Sequence, residues 1–356
     1  MVLLGAGHAH VHVLKHFAQH QPLNTRITLV SPYTRQIYSG MIPGWIAGHY
    51  ALDECTIDVT ALIAGSAIVF HQAALVSMNA GNRSVTLSDG TTLHFDSLSI
   101  NSGGTMNPAV LTGAAEFAVC VRPLEAFVQQ FEAAIHKNPQ SIAVIGGGAA
   151  GAELALAIKH RTSHASVSLI AGAALLPSHA QSVQRAIAKA LKNAQIDTLI
   201  EPAACVLPDQ TIQLASGAMI DSALTLLALG VAPALWVAHS GLALCPRGFI
   251  ATSATLQCVS HAHVFAVGDA ASCISHSAPK SGVYAVRAAA PLLANLLAWL
   301  ASKPLQPVKP KPRSLSLIAC GDRRAIASWG GWTVQGAWVW RWKNWLDRRF
   351  IQKYRR

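Results

Sequence analysis

Short apolar runs ending on glycine punctuate the chain. Val2-Leu3-Leu4 runs into Gly5-Ala6-Gly7-His8-Ala9-His10, and Ile142-Ala143-Val144-Ile145 runs into Gly146-Gly147-Gly148-Ala149-Ala150-Gly151. Unbroken apolar runs of this kind predict strands buried on both faces. After each turn, apolar residues at helical spacing predict a helix: Val11, Leu14 and Ala18 in one, Ala152, Leu154, Ala155 and Ile158 in the other. Alternating positions then predict hairpins. Val85-Thr86-Leu87 and Leu93-His94-Phe95 flank Asp89-Gly90, and Ile212-Gln213-Leu214 leads to Ser216-Gly217. Asp96 precedes a strand from Leu98 to Ile100 closing on Ser102-Gly103-Gly104, and Asp221 precedes one from Leu224 to Leu229 closing on Gly230. The chain reads as a diverged duplication: an α/β fold of two Rossmann-like dinucleotide-binding domains with appended antiparallel hairpins, plus a small C-terminal region.

In each turn the first glycine permits a tight bend and the second lets backbone approach a pyrophosphate. The helix start then presents unpaired N–H groups to the phosphate charge. Gly5, Gly7 and the backbone of His8 and Ala9 are the candidates in the first turn. Gly146, Gly148, Ala150 and Gly151 are those in the second, which has the full G-x-G-x-x-G pattern. His10 occupies the third-glycine slot of the first turn and is expected to widen the contact between helix and strand. Ser31 ends the second strand, where an acid would grip the adenosine ribose. After the strand from Val167 to Ile170, Ala171-Gly172 offers neither an acid for a ribose 2′-hydroxyl nor an arginine for a 2′-phosphate. A third signal, His263-Val264-Phe265-Ala266-Val267-Gly268-Asp269-Ala270, is an apolar strand ending in Gly-Asp.

Hydrophobic residues make up 52% of the chain and charged residues 12%. The start of the chain runs directly into a strand and glycine turn, so no signal peptide is expected. The apolar stretch 288–301 contains Pro291 and Asn295 and suits a packed helix better than a bilayer span. Basic and acidic residues balance over 1–302, so the whole formal excess of +11 lies in 303–356. The seven cysteines form no C-x-x-C pair, which argues against a disulfide framework, a cysteine metal site and a dithiol relay. His8, His12, His16 and His20 would stack along one helix face. Without carboxylate or thiolate company, they read as a solvated flank and no metal site is expected.

With the Gly268-Asp269 strand following two nucleotide-binding units, the chain resembles the two-dinucleotide-binding flavoproteins, the pyridine nucleotide-disulfide oxidoreductases and type II NADH dehydrogenases. Within them it is similar to the flavoprotein often joined to the front of selenide, water dikinase. That similarity runs through Gly5 to Val11, Leu29-Val30-Ser31-Pro32, Tyr38 to Gly44, Pro279 to Arg287 and Trp340-Arg341-Trp342-Lys343. The resemblance implies an FAD-binding domain made of 1–110 and 245–302, an NAD(P)H-binding domain at 111–244, and a C-terminal region at 303–356. It also implies that Gly103, Gly268 and Asp269 contact FAD and that Tyr38 to Pro43 form a loop near the flavin ring. A helix starting at Pro279 would bring Gly282, Val283 and Lys280 to the flavin pyrimidine. Glu153 would stand near the nicotinamide, with Gly230 beside the second nucleotide. The implied reaction is hydride transfer from NAD(P)H to FAD and onward to a quinone or protein redox acceptor. The alternatives are a sulfide:quinone reductase-like enzyme using Cys120 and Cys320, and a flavin-bearing partner module serving selenophosphate synthesis.

Residues 303–313 hold four prolines and read as an extended connector. Six of the nine tryptophans follow between Trp329 and Trp345, and a helix would place Trp338, Trp342, Trp345 and Leu346 on one side beside a dense basic cluster. Residues 336–356 therefore suit peripheral contact with an anionic membrane, which would place the protein in the cytoplasm at the membrane's cytoplasmic face. Packing on the FAD domain is the competing reading, and nucleic acid is the least favoured partner.

Overall fold

A computed structural model describes residues 1–276, 278–309 and 314–355. The strand Val2–Leu4 lies at the centre of a five-stranded parallel sheet, between Leu98–Ile100 and Thr28–Val30, with Val264–Ala266 and Val69–His71 at the edges. The strand Ser141–Ile145 holds the same place in a second parallel sheet. Leu224–Leu227 and Ser166–Ile170 flank it, with Ala118–Cys120 and Asp197–Leu199 outermost. Both central strands are buried along their apolar length, as two-sided parallel strands must be.

Each sheet carries its hairpin. Ser84–Leu87 pairs with Thr92–His94 and with Leu75–Asn79, and Ile212–Leu214 pairs with Met219–Ile220 and Ala203–Val206. The helix after the first turn, α1 (His10–Gln19), buries Val11, Val13, Leu14 and Phe17. Its counterpart α2 (Ala149–Arg161) buries Ala152 and Leu154 through Ile158, because it lies against its sheet on one side and the helix Ile42–Ile46 and strand Ser316–Ala319 on others.

The apolar helix α3 (Gly282–Leu300) is long and apolar enough to cross a membrane by composition, yet it packs on α1. Its buried Asn295 binds the carbonyls of Thr255 and Gln306 and accepts from the Gln306 N–H, each at 2.9 Å. The expected helix start at Pro279 is corrected: Ser281 is extended (φ −152°, ψ 155°), so the first turn begins at Gly282.

Residues 303–309 are without helix or strand, while Pro310 to Arg313 of the expected connector lie outside the described residues. The chain then forms an antiparallel sheet of Ser316–Ala319, Ala325–Trp329 and Trp332–Gly336, and ends in α4 (Ala337–Tyr354). That helix buries a stripe at helical spacing: Val339 packs on Ala325 and Ala327 of this sheet, while Lys343, Asp347, Ile351 and Tyr354 turn toward the first unit.

Candidate redox site

The first glycine turn is enclosed. Gly5 has φ +81°, and a side chain on Gly7 would stand 2.4 Å from the Asn101 carbonyl oxygen. Buried Asn101 accepts through Oδ1 from the N–H groups of Ala9 (3.0 Å) and His10 (3.1 Å), and its amide donates to the Val267 carbonyl at 3.2 Å. A buried side-chain carbonyl thus caps the start of α1 and takes the Ala9 N–H.

Both ring nitrogens of His10 bond within the protein. Its Nδ1 lies 2.6 Å from the Gly5 carbonyl, which can only accept, so Nδ1 carries the proton and Nε2 accepts from the Ser99 hydroxyl at 2.8 Å. Burial lowers its pKa to about 4. In the second turn a side chain on Gly151 would lie 1.9 Å from the Gly146 carbonyl. An imidazole hydrogen bond thus replaces the direct packing of a third glycine.

Ser31, at the end of the second strand, makes its contacts locally. Its buried hydroxyl donates to the Tyr33 carbonyl (3.1 Å) and accepts from the Tyr33 N–H (3.2 Å), a local turn that leaves it inside the fold.

At the end of the strand Val264–Ala266, Asp269 is 8% exposed. Its Oδ2 lies 3.0 Å from Nη1 of Arg122, and its Oδ1 is buried without a partner. Arg122 follows the edge strand of the second sheet, so this pair bridges the two units. Sequence reasoning missed Arg122 and Asn101, since neither belongs to a glycine motif. Nearby, the crossovers from the two sheets pair with each other through reciprocal 2.8 Å bonds between Thr105 and Ala232, beside Gly103 and Gly230.

Lys280 places its ammonium 4.0 Å from the centre of the Phe249 ring and donates to the Ala271 carbonyl. Burial lowers its pKa to about 8 against the attraction of Asp269. Gly282 opens α3 close to Ser39 Oγ and His8 Nε2, while Val283 is exposed. Buried His8 Nε2 has no partner, and its ring lies 5.4 Å from Tyr38 and 6.0 Å from Phe350. Burial and Arg122 lower its pKa to about 4. Pro43 is buried in the short helix Ile42–Ile46 that follows the Tyr38 loop.

The second turn is more open. Gly146 has φ +145° under the Ala228 carbonyl, but a side chain on Gly148 would meet nothing within 4 Å, and Ala150 is exposed. No side chain caps the start of α2. One turn further, partly buried Glu153 accepts from the Ala319 N–H at 2.8 Å. Burial raises its pKa to about 7, opposed by Lys343.

The histidine flank is half covered. His8 and His12 lie under α4, with His12 edge-on to Tyr354, while His16 and His20 stack outside at 4.9 Å. Among the described residues no group of three or more His, Cys, Asp or Glu could hold a metal ion. Burial raises the thiol pKa of Cys120, and that of Cys320 to about 12, so neither presents a thiolate at neutral pH.

Residues 1–289 match the family model described as pyridine nucleotide-disulphide oxidoreductase. The chain belongs to this family. It is 25% identical over 346 residues to demethylphylloquinone reductase NdbB of Synechocystis sp., covering 92% of this chain and 84% of that one. It is 24% identical over 279 residues to ferroptosis suppressor protein 1 of Taeniopygia guttata, covering 74% and 72%. Among solved structures, NDH2 from Plasmodium falciparum in complex with NADH superposes with TM-score 0.82 at 15% identity, covering 99% of this chain and 96% of that one. The sulfide:quinone oxidoreductase of Aquifex aeolicus superposes equally well, with TM-score 0.82 at 16% identity, covering 99% and 90%. These two likenesses show a shared fold.

The chain is accordingly an FAD-dependent NAD(P)H oxidoreductase. The residues fit that cofactor. The orphaned Asp269 Oδ1 is an acceptor waiting for a hydroxyl, and the orphaned His8 Nε2 adds a second polar atom where glycine turn, loop and α3 meet.

Proposed function

We propose that the protein moves electrons from NAD(P)H, bound at the second glycine turn, through FAD at the first turn to a quinone. The observation that carries this reading is the Arg122–Asp269 pair, which joins the two nucleotide units and leaves one carboxylate oxygen free. Gly5, Gly7, the His8 backbone, Gly103, Gly268 and Asp269 would hold FAD. The α3 start at Gly282 and Val283, with Lys280 beside it, would supply positive potential at the ring. Tyr38 and Pro43 would fix the adjoining loop. Gly146, Gly148, Ala150, Gly151 and Gly230 would receive NAD(P)H, with Glu153 near the nicotinamide.

FAD, when bound, supplies a two-electron acceptor for the hydride. Quinone reduction also consumes a proton, and Glu153, with a pKa raised to about 7, is poised to hold and release one near neutral pH. The quinone is favoured over a disulfide acceptor by the unpaired cysteines and by the name of the reductase relative that spans most of the chain.

We infer that the acceptor is reached at an anionic membrane through residues 336–356 on its cytoplasmic face. Packing and docking use opposite sides of α4: Lys343 and Asp347 face inward, while Trp338, Trp342 and Trp345 are exposed. Trp329 and Trp332 at the neighbouring hairpin extend that surface, Trp332 being 79% exposed. Arg349 stands over the Trp345 ring at 5.2 Å, joining charge to the aromatic face.

Anaerobic mixing with NADH and with NADPH tests the donor. Bleaching of the flavin absorbance is expected, and its persistence with both overturns the reading. Deleting α4 would remove inward contacts as well, so membrane contact is tested by Trp332→Ser with Trp345→Ser. Retained FAD with lost co-sedimentation on anionic vesicles is expected, and undiminished binding rejects the surface.

A further inference from the structure

Two ionisable side chains are sealed between α4 and the loop that starts at Tyr38, and the proposed hydride path uses neither. Lys343 and Asp347 are 8% and 6% exposed and 2.7 Å apart. The ammonium also donates to the Gly40 carbonyl at 2.5 Å, and the carboxylate accepts from the Tyr38 hydroxyl. Each end of the pair therefore holds one residue of the loop. Between those residues, Ser39 Oγ lies 3.0 Å from the position a side chain on Gly282 would take, at the first residue of α3. The Tyr38 ring stacks on Phe350 of α4 at 4.4 Å and approaches His8 of the glycine turn. Turn, loop and α3 start thus meet at one place, and α4 closes it.

A buried ion pair is a poor adhesive, because desolvating both charges offsets most of their attraction and an apolar pair of similar size often packs as well. An apolar pair cannot fix a hydroxyl and a carbonyl in register, whereas charge-assisted hydrogen bonds can. We propose that Lys343 and Asp347 are positioning residues of the flavin site, holding Tyr38 and Gly40 so that the C-terminal helix serves as one wall of that site. The inference rests on the reading of the first turn as the FAD site.

The test compares the parent with Lys343→Met/Asp347→Leu, Lys343→Arg and Tyr38→Phe. FAD dissociation constants are read from flavin fluorescence, bound-flavin visible circular dichroism reports the ring environment, and the apoprotein melt reports folding. The apolar double variant is expected to melt at or above the parent temperature while binding FAD at least 10-fold more weakly with an altered visible spectrum. Tyr38→Phe, which keeps the ring, should weaken binding about 3-fold, and Lys343→Arg should retain most of the parent affinity. Parent-like FAD affinity and spectrum in both the double variant and Tyr38→Phe would overturn the inference. If the double variant does not fold, the Tyr38→Phe spectrum and affinity decide it in the same sense. A folded parent that takes up no FAD would instead remove the FAD reading itself.

Discussion

At the second glycine of the motif, a side chain on Gly7 would strike the Asn101 carbonyl oxygen at 2.4 Å, whereas one on Gly148 would meet nothing within 4 Å. The third position differs as well: His10 is sealed into the first turn by two hydrogen bonds, while Gly151 packs directly on the second. The surroundings follow the same division. Asn101, the start of α3 and the inner face of α4 wall the first turn, but the second opens to solvent at Gly148 and Ala150. An enclosed turn suits a resident cofactor, whose affinity gains from preorganised surroundings. An open turn suits a nucleotide that must enter and leave at every turnover.

The largest test exchanges the same atom at equivalent positions. Gly7→Ala should destabilise the first unit by about 3 kcal/mol through backbone overpacking and yield little flavin-loaded protein. Gly148→Ala, at φ −77°, should leave melting temperature and flavin content unchanged while raising KM for NAD(P)H about 10-fold. Equal behaviour of the two variants would erase the distinction.

Next in size, Asp269→Asn should weaken FAD binding about 10- to 100-fold, because Arg122 loses its charged partner and the cofactor loses a charged acceptor. Titration of apoprotein with FAD measures this.

Acid should weaken the first turn selectively. His10 has a folded pKa of about 4, below the unfolded value near 6.5, so its contribution is present above pH 6.5 and is lost as pH falls toward 4. Going from pH 6.5 to 5 should cost about 2 kcal/mol. His8 of the same turn, also lowered to about 4 by burial, adds a similar slope, so denaturant melts of His10→Gln should remove about half of the combined acid dependence of the two. Glu153 runs oppositely: its raised pKa favours the fold below pH 4.5, and that contribution is lost as pH rises through 7.

The smallest effect concerns nucleotide choice at the open turn. Ala171→Glu should shift the ratio of kcat/KM toward NADH over NADPH by about 10-fold, with flavin content unchanged. Stopped-flow reduction with each donor checks it.

The paired strands, the glycine turns and both hairpins were legible along the chain because their determinants are local. A buried parallel strand needs an unbroken apolar run, and a tight turn needs a residue tolerant of positive φ, as at Gly5 and Gly146. The side-chain partners at the site were another matter. Ser31 stood at the expected strand end, yet its hydroxyl found the nearer Tyr33 backbone. Asn101 caps a helix start 92 residues away, and Lys343 reaches a carbonyl 303 residues away. Local spacing thus determined the two glycine turns, while tertiary packing alone decided which turn was walled and by which residues. A hydrogen bond depends on the final position of both partners, and chain separation leaves no periodic trace of where they meet.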